Sequence, residues 1–149
     1  MWPLTFHAHR EATSRDSDRS PEVLAILGNP RDQTTVTEFA HSRHWHLTLV
    51  STPDQGFFSA AEKTVAVILL DRDLAGHEWR STMRRLAQNR PKPCIILVSP
   101  AIDPYLFDEV VRQGGFDMVT KPIQPDELRR IGHLALTFWK RHQAGHSPA

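Results

Sequence analysis

Three side chains with chemical reach stand where three apolar runs stop. The carboxylate of Asp71 follows Val65–Leu70, the hydroxyl of Ser99 follows Cys94–Val98, and the amine of Lys121 follows Phe116–Thr120. An acid, a hydroxyl and an amine brought into one cleft can perturb one another and act on a bound group. Each residue also has a plainer reading. Asp71 can cap the helix that follows it, Ser99 before Pro100 is an ordinary turn residue, and Lys121 can serve as a structural partner for Asp71. Which reading holds depends on whether the fold makes the three run-ends converge.

The elements that would position them alternate along the chain. Val23–Leu27 is a continuous apolar run closed by Gly28, Asn29 and Pro30, as expected of a strand buried on both faces. Asp32 then precedes a helical stretch to about His44, with Val36, Phe39 and Ala40 on one side. Leu47–Val50 is a second strand, and Phe57, Phe58, Ala60 and Ala61 mark a short helix after Pro53–Asp54. Val65–Leu70 is the strongest strand. Trp79, Met83 and Leu86 follow at helical spacing, and Pro91 and Pro93 end that helix. Cys94–Val98 is a fourth strand; Leu106, Val110 and Val111 mark a helix closed by Gly114–Gly115. Phe116–Thr120 is a fifth strand, and a last helix runs from about Pro125 to His142 with Leu128, Ile131, Ala135 and Phe138 as its core stripe. Five strand–helix units predict an α/β fold with a parallel sheet covered by helices on both faces. In such sheets ligands bind beyond the carboxyl ends of the strands. That is where Gly28–Asn29, Ser51, Asp71, Ser99 and Lys121 fall.

Composition narrows the function. Of 149 residues, 18 are Lys or Arg and 17 are Asp or Glu, a net charge of +1 that offers no bulk electrostatic case for nucleic acid or an anionic membrane. Arg80, Arg84, Arg85, Arg90 and Lys92 read as a solvated helix face. Nine histidines are present, but His41 and His44 lack the further ligands a metal site needs. The single Cys94 excludes an internal disulfide, and no run is long enough to span a bilayer, so a cytoplasmic protein is expected. Residues 1–20, apolar only at Trp2, Leu4 and Phe6, read as a flexible tail, residues 21–142 as one domain, and residues 143–149 as a second tail.

The segments VAVILLDRDLAG, CIILVSP and GGFDMVTKPIQPDEL resemble the receiver domain of bacterial two-component response regulators, in order and spacing, over roughly Glu22 to His142. The resemblance implies a flavodoxin-like doubly wound sheet of order 2-1-3-4-5. It places Asp71 on the aspartate that takes a phosphoryl group from a histidine kinase. Ser99 falls on the hydroxyl residue that bonds the phosphoryl oxygen, and Lys121 on the lysine that pairs with it, before a proline whose peptide bond is usually cis in the family. Met118 falls on the aromatic switch position. The face built from the fourth and fifth helices, where partners and dimers dock in this family, carries Tyr105 and Trp139.

The departures from the family pattern are as informative. Two adjacent acids, one a Mg²⁺ ligand, usually end the first strand; here they are Gly28 and Asn29. A hard cation wants charged oxygen, so Mg²⁺ binding is expected to be weak or absent. The residual ligands would be Asp71, Asp73 and the amide oxygen of Asn29. The expected loop sequence after the acceptor is replaced by Leu74–Ala75 and Trp79. The resulting expectation is a stand-alone atypical receiver, not an enzyme, that works in phosphorelay signalling through protein–protein contacts, with phosphorylation of Asp71 weak or absent. The alternative is a working phospho-acceptor, and a more distant one is a flavodoxin-like protein that binds a small anion in the same cleft. A histidine kinase or other signalling protein, and a homodimer through the fourth and fifth helices, are the expected partners; direct nucleic-acid and membrane contacts are not.

Overall fold

The computed structural model of the chain describes residues 20–146. The first expected tail, up to Arg19, and the last three residues lie outside the described part. Five strands, β1 (Glu22–Ile26), β2 (His46–Val50), β3 (Val67–Asp71), β4 (Cys94–Ser99) and β5 (Asp117–Thr120), alternate with five helices. The helices are α1 (Pro30–Ser42), α2 (Pro53–Glu62), α3 (Trp79–Leu86), α4 (Pro104–Arg112) and α5 (Pro125–His146). All strand pairs are parallel and the order is β2-β1-β3-β4-β5. This is the expected α/β sheet, with the expected order.

Alternation along the central strands sorts their side chains between two cores. Val23, Ala25, Val67, Leu69, Ile96, Val98 and Val119 face α1 and α5, meeting Val36, Leu128, Ile131 and Ala135. Leu24, Ile26, Ile68, Leu70, Ile95, Leu97 and Met118 face the other way, towards Ala60, Met83, Leu86, Leu106 and Val110 on α2, α3 and α4. Each fully buried Leu or Ile contributes roughly 2 kcal/mol. The central strands therefore hold the strand ends in fixed register. Asp71 lies opposite Val98, and Ser99 opposite Thr120.

Several boundaries differ from the sequence reading, for local reasons. α1 begins at Pro30 rather than after Asp32, because Asn29 caps it and proline suits a first helical position. α3 ends at Leu86, several residues before Pro91. α5 continues to His146, so residues 143–146 are helical rather than tail. On α5 the core stripe passes through Trp139, not Phe138. Starting from Leu128, a period of about 3.6 residues lands nearer 139 than 138. Phe138 is accordingly turned outward, stacked on His142, while Trp139 packs against the core. No helix among the described residues is long and apolar enough to cross a membrane.

Candidate functional site

Asp71 and Ser99 end two neighbouring central strands, and both are buried. Lys121 follows the edge strand β5, and its backbone N–H donates to the Ser99 carbonyl at 3.0 Å. From there its side chain reaches across the end of β4. The Lys121 Nζ lies 2.7 Å from Asp71 Oδ1, with the two side chains 15% and 3% exposed. The Lys121–Pro122 peptide bond is cis.

Both Asp71 oxygens are engaged. Oδ1 also accepts from the Asp73 backbone N–H at 2.9 Å, and Oδ2 accepts from the Gly28 N–H at 3.3 Å. The acid and the amine of the expected trio are thus in direct contact. The hydroxyl is bonded elsewhere. Ser99 Oγ donates to the Ala101 carbonyl at 2.7 Å and accepts from Arg72 Nη1 at 3.1 Å. Asp73 is half exposed, and its Oδ2 lies 3.7 Å from Lys121 Nζ.

On the β1 side the environment of Asp71 is neutral. A Cβ built on Gly28 would lie 3.0 Å from Leu74 Cδ2 and 4.0 Å from Asp71 Oδ2. Leu74, itself buried, therefore occupies the space into which a side chain at position 28 would grow. The Asn29 amide oxygen is committed to the helix start, where it accepts from the backbone N–H groups of Arg31 (2.8 Å) and Asp32 (3.3 Å). Among the described residues no three His, Cys, Asp or Glu side chains gather as a metal cluster.

Four contributors escaped the sequence reading. Arg72 is one of many arginines in the sequence, and only the fold brings it to Ser99. His77 Nε2 donates to the carbonyls of Asp71 (3.1 Å) and Arg72 (3.2 Å), while its Nδ1 lies 2.9 Å from Thr82 Oγ1. It ties down the loop that follows the acidic residue. Asp32, noted only as a helix start, is buried and accepts the Ile123 N–H at 2.9 Å, joining α1 to the turn after Lys121. Leu74, an unusual residue for this loop, also packs over Gly28. For Asn29 and Leu74 the sequence does carry a signal: an Asn-Pro pair opening a helix, and an apolar side chain in the loop that faces a glycine.

The remaining expected residues lie apart from this cleft or from one another. Met118 is buried among the apolar side chains packed under α3 and α4. Tyr105, 85% exposed, sits in the first turn of α4, at the end of the sheet that carries Asp71. Trp139 lies towards the opposite end, half-buried beside Cys94 at the start of β4. The two stand towards opposite ends of the sheet. The large apolar side chains exposed on α4 and α5 are instead Tyr105, Phe107, Val111, Leu134 and Phe138.

The family model described as the response regulator receiver domain matches residues 29–132. The two-component response regulator ORR5 of rice (Oryza sativa subsp. japonica) is 21% identical over 116 residues, covering 75% of this chain and 86% of that protein. Among solved structures, the signal receiver domain of an HD domain-containing protein from Pseudomonas fluorescens superposes with a TM-score of 0.76 at 18% identity. It covers 85% of this chain and 93% of its own. The CheY-like receiver domain protein from Methanospirillum hungatei gives 0.75 at 14% identity, over 83% and 98% of the two chains.

Proposed function

Because this chain belongs to the response regulator receiver domain family, we propose that it is an atypical receiver in which the fold is kept and phosphorylation of Asp71 is weak or lost. Receiver domains are signalling modules that interact with histidine kinases or other signalling proteins. On this reading the chain does its work in the cytoplasm through protein–protein contact rather than catalysis. The exposed apolar side chains of α4 and α5 are the surface offered to a partner or a second copy.

The observation that carries this reading is the state of Asp71. Its carboxylate is buried, ion-paired with Lys121 and hydrogen-bonded to two backbone N–H groups. Nucleophilic attack on phosphorus needs an oxygen lone pair free to attack and charge to neutralise the transferred oxygens. The three hydrogen bonds leave Asp71 Oδ2 a lone pair, so the part in short supply is positive charge for the transferred oxygens beyond that of Lys121. The donor set also does not suit a magnesium ion. Position 28 carries no side chain, Leu74 covers it, and the Asn29 oxygen caps a helix. Only Asp71 and the half-exposed Asp73 remain as charged oxygen ligands, against the several that a small hard cation demands.

A phosphoryl mimic tests the reading without a kinase. Beryllium fluoride added with millimolar Mg²⁺ is expected to leave the backbone amide resonances of Asp71, Ser99 and Lys121 where they were. Movement of those resonances that depends on Mg²⁺ and disappears in Asp71→Asn would favour the working phospho-acceptor, with Asp73 supplying the second carboxylate. Movement that persists in Asp71→Asn would favour a plain anion site.

A further inference from the structure

We propose that Arg72 is a positioning residue that fixes the β4–α4 loop by holding Ser99, so that the partner-facing end of α4 is set without a phosphoryl group. This rests on the reading that Asp71 carries no stable phosphoryl group. Ser99 is fully buried, and its hydroxyl has one proton to give. That proton goes to the Ala101 carbonyl, and the oxygen in turn accepts from Arg72 Nη1 and from the Ala101 N–H at 3.3 Å. No proton is left over for a group on Asp71 unless the Ala101 carbonyl gives it up.

The arrangement links two loops. The Arg72 backbone N–H donates to the Val98 carbonyl at 3.0 Å, which keeps the residue against the end of β4. Its guanidinium then spans from the β3–α3 loop to the β4–α4 loop. Residues 100–102 are exposed and belong to no helix or strand. The Ser99 hydroxyl bonds both polar backbone groups of Ala101. Two residues later Asp103 caps α4 by accepting the Leu106 N–H at 2.9 Å, and Tyr105 stands in that first turn. A hydroxyl bonded by a charged donor is held more firmly than one bonded by a neutral group. The family has a phosphoryl oxygen accept from this hydroxyl; here the Ala101 carbonyl accepts that proton, while the Arg72 guanidinium donates to the oxygen and holds it in place.

Amide hydrogen exchange of the whole chain tests this directly. Arg72→Ala is expected to speed exchange of the Ala101 amide by about tenfold, the size of effect that loss of one charge-assisted hydrogen bond gives. Ser99→Ala is expected to do the same, and the double variant no more than either alone, because both remove one link. Arg72→Lys, which keeps a donor, is expected to restore part of the protection. Unchanged exchange in Arg72→Ala would overturn the proposal, as would additive effects in the double variant. No phosphoryl donor is used, so the result stands whatever Asp71 does when given one. The beryllium fluoride experiment on the unaltered protein decides that question separately.

Discussion

Replacing Lys121 with methionine is expected to destabilise the protein by about 3 kcal/mol, and adding Asp71→Asn is expected to recover most of that loss. Removing one partner of a buried pair leaves the other charge uncompensated, which typically costs roughly 3–5 kcal/mol. The lower end applies because Asp71 would keep the Asp73 and Gly28 N–H groups. Asp71→Asn alone should cost less, about 1 kcal/mol, because Lys121 keeps some solvent and has Asp73 within 3.7 Å. Urea titrations of the two single variants and the double variant give the coupling term. A cleft that held several carboxylates would behave differently, since removing one of its like charges relieves repulsion. A Lys121→Met variant as stable as the parent would show that the pair does not hold Asp71 in solution.

If the cleft holds Mg²⁺ weakly because positions 28 and 29 carry no acid, placing acids there is expected to create a tight metal site. In Gly28→Asp/Asn29→Asp, two carboxylates would join Asp71 and Asp73 around one small volume. Each charge at contact distance is worth a few kcal/mol near a protein surface, so Mg²⁺ affinity should rise on the order of a hundredfold or more. The fold should tolerate the change. Aspartate caps a helix about as well as asparagine, so α1 keeps its start. The new Cβ at position 28 meets only the tip of Leu74, at 3.0 Å, and a leucine tip can turn. Titration calorimetry reads both proteins. Equal Mg²⁺ affinity in parent and variant would contradict the assignment of positions 28 and 29 as the vacated ligand places.

Much of this was legible in the residues because the decisive features are local. Unbroken apolar runs such as Val65–Leu70 announce buried parallel strands, and the residue types at their ends announce the cleft. The parallel α/β sheet therefore followed from periodicity, while its strand order and the meeting of Asp71 with Lys121 followed from the family resemblance. The parts that were missed are those in which a side chain chooses between partners. Nothing in the sequence says that Arg72 turns to Ser99, that Asp32 takes the Ile123 N–H, or that Asn29 spends its oxygen on a helix cap rather than in the cleft. Phe138 and Trp139 illustrate a related limit. Adjacent aromatic residues near the end of a long helix differ by 100° in direction, and an accumulated drift decides which one faces the core. Tyr105 and Trp139 stand apart for a simpler reason: α5 is long, and Trp139 lies far down it from the end of the sheet where α4 begins.

The most direct measurement is the intact mass of the purified chain after incubation with acetyl phosphate and millimolar Mg²⁺, with Asp71→Asn alongside. On the proposed reading, a carboxylate tied to Lys121, with no acid at positions 28 and 29, should gain little or no phosphoryl group, and the parent should stay close to Asp71→Asn. A single phosphoryl adduct on most of the parent, absent from Asp71→Asn, would contradict the account.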